Sequence, residues 1–529
     1  MKFLDKNKIL FNLDAIRAHD NIIIGQGWVF NKLIEIDSVF ITSKSFKKKF
    51  KIKYGTHRED VHLHYDQYEN SKNCGFVFSV GLDHKIDQST PIDLEINFVN
   101  GSKKYIKMIK PKTPFKFYGY TFYLMKLLLR LRFKDAKNIL IKSLKSLKSL
   151  KSILIKAKLK TNFNSKFTLV IDHDLGGGTN KFRNQMIADL LHDQLSVILI
   201  TYNLKSFCYK TEIFHEQYHG KENFLNLIDL KVFLNKLEID EIILNNCVSY
   251  PKIAELLQMV NSIKIKNNSQ LHVQIHDFFS VCPSYNFLNN DNQFCNIPSV
   301  TKCNKCLPAN QSNTFPFLNP EMRISEWRSI WERLLLSATT ISTFSDNSKK
   351  LILKAYKNLN SSKIHIVPHT LLPSILSANI SNKKPKNLTI GVLGSISLSK
   401  GSLVLEELVN IIKVKNLDIK IVIFGSVDRY LDPLIVHCTG KYEHDQLPGL
   451  FDKFKPTVFL FPSIWPETFS YVVQELMYFG FPIAAFDIGA PGERLKGYKN
   501  AKLIKYPSNS KNILNMLVNF HKRIYSRKK

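Results

Sequence analysis

Residues 462–494 read Pro462-Ser463-Ile464-Trp465-Pro466-Glu467-Thr468-Phe469-Ser470-Tyr471-Val472-Val473-Gln474-Glu475-Leu476-Met477-Tyr478-Phe479-Gly480-Phe481-Pro482-Ile483-Ala484-Ala485-Phe486-Asp487-Ile488-Gly489-Ala490-Pro491-Gly492-Glu493-Arg494. Just before them, Thr457-Val458-Phe459-Leu460-Phe461 is the short apolar run of a fully buried parallel strand. Val472, Val473, Leu476, Met477 and Phe479 recur at helical spacing, predicting a helix that Glu467 opens and Gly480 stops. Phe481 to Phe486 predicts a second strand, and Asp487 to Gly492 a second loop. This is one βαβ unit, in which ligands sit at the carboxyl ends of the strands. If both were helical, Glu467 and Glu475 would stand about 12 Å apart along the axis. A glycosidase acid/base pair needs about 5 to 9.5 Å. The wider spacing suits a ligand gripped at two ends, its diphosphate on the helix N-terminus. A Glu-bearing surface helix between two core strands is the plainer alternative.

With its flanks, W-P-E-T-F-S-Y, G-x-P and G-A-P-x-E-R, the stretch resembles the retaining glycosyltransferases of the GT-B fold, specifically glycosyltransferase family 4. The resemblance implies that Glu467 contacts the donor sugar and Glu475 holds the ribose. It further implies that backbone amides at Thr468, Phe469 and Ser470 meet the phosphates.

A chain of 529 residues exceeds one core, so two to four domains are expected. Hydrophobic content of 44% places it among globular proteins. No run approaches the length of a membrane span, and Met1 to Asp14 is broken by charges where a signal peptide would be apolar. A cytoplasmic protein is expected. Eight cysteines do not make a disulfide scaffold in this length, which leaves free thiols or metal ligands. The net charge of +31 reads either as attraction to polyanions or as drift toward Lys, Asn, Ile and Phe. A nucleic-acid-binding reading leaves the whole α/β half unexplained and is set aside.

Residues 1–112 predict a separate β-sandwich, from short partly alternating runs such as Asn21–Gly25, Gly27–Phe30, Cys74–Val80 and Ile92–Phe98. G-W-V-F, Arg58–Val61 and G-F-V-F resemble the immunoglobulin-like module ahead of some bacterial glycosyltransferases. Residues 113–162 predict a basic helical linker, apolar at Phe122–Leu131 and then repeating as SLKSLKSLKS. An anionic membrane surface would suit it as well as a linker role.

Residues 163–375 predict a first Rossmann-like domain on the acceptor side. Phe167–Ile171 reads as a strand and Gly176-Gly177-Gly178 as a tight turn, with a helix from about Lys181 to His192. Glycines there allow close approach of backbone N–H groups to a ligand. In the resembled family a GGG loop here lines the cleft. His276 ends the strand Leu271–Ile275 and so faces the expected cleft, where the family places a His near the donor sugar. Cys282, Cys295, Cys303 and Cys306, spaced C-x12-C-x7-C-x2-C, read as a structural zinc set or as four free or redox-active thiols. Cys74, Cys208, Cys247 and Cys438 read as small packing residues.

Residues 376–529 predict the donor-binding Rossmann-like domain, opening with Leu388–Gly394 and Ser395–Gly401 and ending in a helix from about Lys511 to Arg527 that crosses back onto the first domain. Family members carry an Arg before Lys-Gly, and Arg and Lys together clamp the diphosphate. Here Lys400 is kept while Ser395-Ile396 replace the Arg. The expected fold is therefore GT-B, two Rossmann-like domains facing a cleft behind a β-sandwich and a linker. The expected activity is a retaining, metal-independent transferase moving sugar from a nucleotide-sugar to a glycan or lipid-linked acceptor. Glu467, His276 and Lys400 would serve the chemistry, and Gly176, Gly177, Gly178, Gly394, Thr468, Phe469, Ser470 and Glu475 would bind the donor. No catalytic cofactor is implied. Cell-envelope polysaccharide synthesis, in the cytoplasm or on the inner membrane face, follows from the family alone. The alternatives are a decayed carbohydrate- or membrane-binding scaffold and, as a minor option, a sugar epimerase.

Overall fold

The computed structural model describes residues 9–19, 22–46, 49–82, 91–107, 166–204, 206–215, 218–310, 322–369 and 387–526. The basic segment at 113–162 and the expected boundary at 374–387 fall outside them, save for residue 387.

The first described unit has eight strands: β1 (Ile9–His19), β2 (Ile22–Asn31), β3 (Ile36–Thr42), β4 (Phe50–Lys51), β5 (Lys53–Thr56), β6 (Gly75–Gly81), β7 (Asp93–Phe98) and β8 (Lys103–Lys107). They form two antiparallel sheets, ordered β1-β2-β6-β5 and β4-β3-β7-β8. Ile23, Val29, Phe76 and Phe78 of one sheet share a core with Val39, Ile41, Leu94 and Ile96 of the other. Alternation along the strands supplies those inward faces, which makes the unit a sandwich. The sequence reading did not foresee β1, whose apolar residues are interrupted by Asn12, Asp14 and Arg17, nor the short β5 and β8.

The next unit is an eight-stranded sheet of β9 (Phe167–His173), β10 (Ser196–Asn203), β11 (Cys208–His215), β12 (Tyr218–Phe224), β13 (Ile239–Leu244), β14 (Gln270–Gln274), β15 (Thr340–Thr343) and β16 (Ile364–Ile366), ordered β12-β11-β10-β9-β13-β14-β15-β16. The six strands from β10 to β16 across β9 pair in parallel, and β11 and β12 extend the edge as an antiparallel hairpin. That hairpin was not predicted, although Tyr209, Thr211 and Ile213 alternate with polar residues. Every residue of β9 is buried, as a strand covered on both faces must be. Because β9 lies between β10 and β13, the chain leaves it in opposite directions, and the crevice opens beyond its carboxyl end.

The last unit is an all-parallel sheet of β17 (Thr389–Ile396), β18 (Lys420–Val427), β19 (Val436–Cys438), β20 (Val458–Phe461), β21 (Ile483–Phe486) and β22 (Ala501–Ile504), ordered β19-β18-β17-β20-β21-β22. Its topological reversal lies between β17 and β20, so the turns after these two strands flank the second crevice. The architecture is α/β with two Rossmann-like lobes, the GT-B arrangement. The terminal helix Ser510–Ser526 does not cross back as expected. Its Ile513, Leu514, Leu517 and Phe520 lie in the second lobe's core with Leu405, Leu408 and Ile412 of the helix Ser402–Val414. An apolar stripe that wide is satisfied by the nearest uncovered helix. Among the described residues no helix is long and apolar enough to cross a membrane.

Candidate active site

The turn after β17 and the loop after β20 meet at one point. Gly401 has φ +88°, and a Cβ there would lie 2.1 Å from Pro462 O, so only glycine lets Lys400 and the 462–470 loop approach this closely. Glu467 lies in that loop, 6% exposed, with Ser463 Oγ donating to its Oε1 at 2.9 Å. Burial raises its pKa, and the charge of Lys400 acts against the rise. The structure thus brings Glu467 and Lys400 together.

The helix begins later than the sequence reading placed it. It spans Tyr471–Tyr478, with the Ser470 hydroxyl capping it by accepting from Val473 N at 3.3 Å. Glu467 is therefore outside the helix and only Glu475 inside it, so the axial spacing of about 12 Å does not describe the pair. Glu467 N closes a tight turn onto Trp465 O at 2.9 Å across Pro466, and the amide of Ala490 donates to Glu467 O at 2.8 Å, which keeps this stretch a loop. Glu475 is 1% exposed, its Oε2 has no hydrogen-bond partner among the described residues, and burial pushes its pKa up to about 7. Gly394 closes the set from β17, where a Cβ would come 3.7 Å from Val472 Cγ2.

In the first lobe the helix starts at Gly177 and runs to His192, four residues earlier than predicted, so two of the three glycines form its first turn. A buried polar chain fixes this turn. Gly176 N donates to Asn180 Oδ1 at 2.5 Å, Asn180 Nδ2 donates to Asp172 Oδ2 at 3.0 Å, and Arg183 Nη1 donates to the same oxygen at 3.2 Å. Burial nevertheless lifts Asp172 to about 7. His276 is buried, its Nε2 2.9 Å from Asn245 Oδ1, which makes Nε2 the protonated nitrogen of a neutral ring. Burial holds its pKa well below the usual value.

The lobes touch through these same elements. Thr468 Oγ1 donates to His276 O at 2.7 Å. Tyr471 OH lies 3.1 Å from His369 Nδ1, and the ring of Tyr471 covers Gly178. His369 is enclosed by Phe182, Phe344 and Phe469, at centroid distances of 4.6, 4.2 and 4.5 Å. Glu493 receives the Asp346 and Asn347 amides at 3.1 and 2.7 Å, capping the helix Asp346–Ala355 from the opposite lobe. Arg494 stacks on Phe469 with its guanidinium 4.2 Å from the ring centroid. Lys181 Nζ meets His444 Nε2 at 2.5 Å, and His444 Nδ1 lies 3.4 Å from Glu475 Oε1. Sequence reasoning missed Asn180, Asn245, His369, His444 and Lys181. Only Asn245 and His369 carried a signal: Asn245 directly follows the strand run ending at Leu244, and His369 closes the run from Ile364.

Cys282, Cys295, Cys303 and Cys306 gather around Val300–Ala309, a helix that carries Cys303 and Cys306 where a loop and turn were expected. Burial raises the thiols of Cys282, Cys295 and Cys306, and the neighbouring thiols add to the rise. Among the described residues, however, no group of three or more His, Cys, Asp or Glu is placed to hold a metal ion. Cys438, expected to be a packing residue, is exposed, whereas Cys74, Cys208 and Cys247 are buried.

Residues 376–519 match the model of the family described as Glycosyl transferases group 1. That match lies in the second lobe. It includes Lys400, Glu467 and Glu475, and the first lobe closes the crevice of this domain. No curated protein matches the chain. Among solved structures it is similar to a glycosyltransferase from Rickettsia africae ESF-5, at 15% identity over 69% of this chain and 92% of that one, TM-score 0.44. It is also similar to sucrose-phosphate synthase from Thermosynechococcus elongatus (13% identity, 68% and 94% covered, TM-score 0.44) and to Alr3699/HepE of Anabaena in complex with UDP (14%, 67% and 89%, TM-score 0.40).

Proposed function

We propose that the protein is a retaining GT-B glycosyltransferase that transfers a sugar from a nucleotide-sugar to a glycan or lipid-linked acceptor. One observation carries the reading: two buried carboxylates, Glu467 and Glu475, flank one helix N-terminus in the crevice, and Glu475 keeps an unpartnered oxygen. A buried acceptor without a donor is costly unless a ligand supplies one, as the hydroxyls of a ribose would. In this reading Glu475 holds the ribose and the amides at Thr468 to Ser470 meet the diphosphate. Lys400 balances the departing charge, while Glu467 and His276 orient the sugar. The departing diphosphate takes the acceptor's proton in a front-face displacement. Gly176 to Gly178 admit the donor closely, and Gly394 makes room beside Val472. The acceptor would belong to cell-envelope polysaccharide assembly at the inner membrane face.

Thermal melting with UDP, GDP, dTDP and their sugars tests this on wild type and Glu475→Ala. Stabilisation by one nucleotide, lost in the variant, is expected. The absence of any shift would favour the decayed scaffold, a second reading that rests on Ser395 and Ile396 lying where a basic residue would neutralise phosphate.

We also propose that Cys282, Cys295, Cys303 and Cys306 serve a structural zinc ion. Their spacing and mutual nearness support this, and their placement short of a coordinating group speaks against it. Zinc content of the purified chain, compared with Cys303→Ser/Cys306→Ser, decides between zinc and free thiols.

A further inference from the structure

The diphosphate of a nucleotide-sugar brings one negative charge per phosphate into a crevice whose turn after β17 offers a single side-chain cation. From Gly394 to Gly401 that turn reads Gly-Ser-Ile-Ser-Leu-Ser-Lys-Gly, so Lys400 stands alone there. One ammonium leaves the second phosphate to backbone amides, in a site where burial makes uncompensated charge expensive.

The first lobe brings a cation to the helix that follows Glu467. Its helix Gly177–His192 and the helix Tyr471–Tyr478 meet at their first turns, where Gly178 faces the ring of Tyr471. One turn further along, Lys181 Nζ reaches His444 Nε2 at 2.5 Å, beside Glu475. Among the described residues no carboxylate lies within ion-pair distance of Lys181. Its one hydrogen-bond partner is a neutral imidazole, a weaker acceptor than a phosphate oxygen. From Glu475 to the helix N-terminus is about 6 Å along the axis, within the reach of a lysine stem. Arg494, the other nearby cation, is committed to Gln474 and to the Phe469 ring.

We propose that Lys181 is the second cation of the diphosphate site, supplied by the opposite lobe and resting on His444 when no nucleotide is bound. The unpartnered Glu475 Oε2 marks the same spot as a ligand site by an independent observation. The consequence is that binding the diphosphate draws the two lobes together, because the charge it needs comes from across the crevice. This rests on the donor reading above.

Titration calorimetry on the full chain tests it, using UDP, GDP and dTDP and the nucleoside corresponding to whichever binds. Lys181→Met is expected to weaken the diphosphate about tenfold or more and to leave the nucleoside unchanged, while Lys181→Arg keeps most of the affinity. Lys181 is exposed, so the variants should fold, which their melting temperatures check. Lys181→Met binding the diphosphate as well as wild type overturns the proposal and leaves the donor reading standing. Equal losses for diphosphate and nucleoside also overturn it, since the effect would then not be on the phosphates. Wild type binding none of the three overturns the donor reading itself, and this inference with it.

Discussion

The hydroxyl of Thr468, in the loop after β20, donates to the main-chain carbonyl of His276, at the end of β14, over 2.7 Å. The bond joins the residue after Glu467 to a buried first-lobe residue at the crevice. Each side of the crevice is therefore positioned partly by the other.

Thr468 is 4% exposed, so replacing it with Val keeps the volume and strips the His276 carbonyl of this donor. A loss of about 1–3 kcal/mol is expected in urea unfolding. A variant as stable as wild type would mean that the lobes do not depend on this bond.

Glu475 should leave a signature in the pH dependence of stability. Burial raises its pKa from 4.5 to about 7, and the charge of Lys181 works in the opposite direction. An acid with a raised pKa holds more protons folded than unfolded between those values. Its protonated form therefore costs nothing at low pH, and stability is lost as pH climbs from about 4.5 through 7. Glu475→Gln should be more stable than wild type above pH 7 by a few kcal/mol, with the gap closing toward pH 4.5. Asp172 titrates in the same window but is present in both proteins, so it cancels in the difference. A gap that does not change with pH would show that Glu475 titrates normally.

Two glycines with similar φ should respond in opposite ways to alanine. At Gly401 the new Cβ meets Pro462 O, backbone that has nowhere to move, and a cost of at least about 4 kcal/mol is expected. At Gly177, φ +81°, nothing lies within 4 Å, so only the left-handed backbone is penalised, by about 1–2 kcal/mol. Comparable midpoints for the two variants in urea would contradict the close approach at Lys400.

The sandwich is held to the second lobe largely around Tyr430, whose amide donates to Asn73 Oδ1 at 3.3 Å. Lys72 Nζ lies 4.4 Å from its ring centroid, and Lys53 reaches Asp428 at 3.8 Å. On the other side Ile22 and Ile24 pack with Leu204 and Phe207 of the first lobe. Tyr430→Ala should loosen the sandwich and split thermal unfolding into two transitions in calorimetry. A single sharp transition would show that the Ile22–Phe207 contact suffices.

Pattern along the chain was enough to place the parallel strands, because a strand buried on both faces must be apolar throughout, as β9, β20 and β21 are. It also marked Glu467, Lys400 and the three glycines, since turns beyond such strands are where ligands bind, and Glu475 on the helix that follows. Pattern failed where burial was one-sided or borrowed. The polar-interrupted β1 gains its inner face only from the second sheet, and the hairpin β11–β12 is stabilised by an edge that no local sequence reveals. The start of the helix at Tyr471 was set by Pro466 and by the amide of Ala490 about twenty residues away. The partners of His276, Glu475 and Gly178 are Asn245, His444 and Tyr471, each distant in sequence. Residue types and spacing along one chain determined which side chains are candidates for a ligand site. Only the packing of two lobes decided which of them share a crevice, because hydrogen bonds and charges act over a few ångströms of space, whatever their separation along the chain.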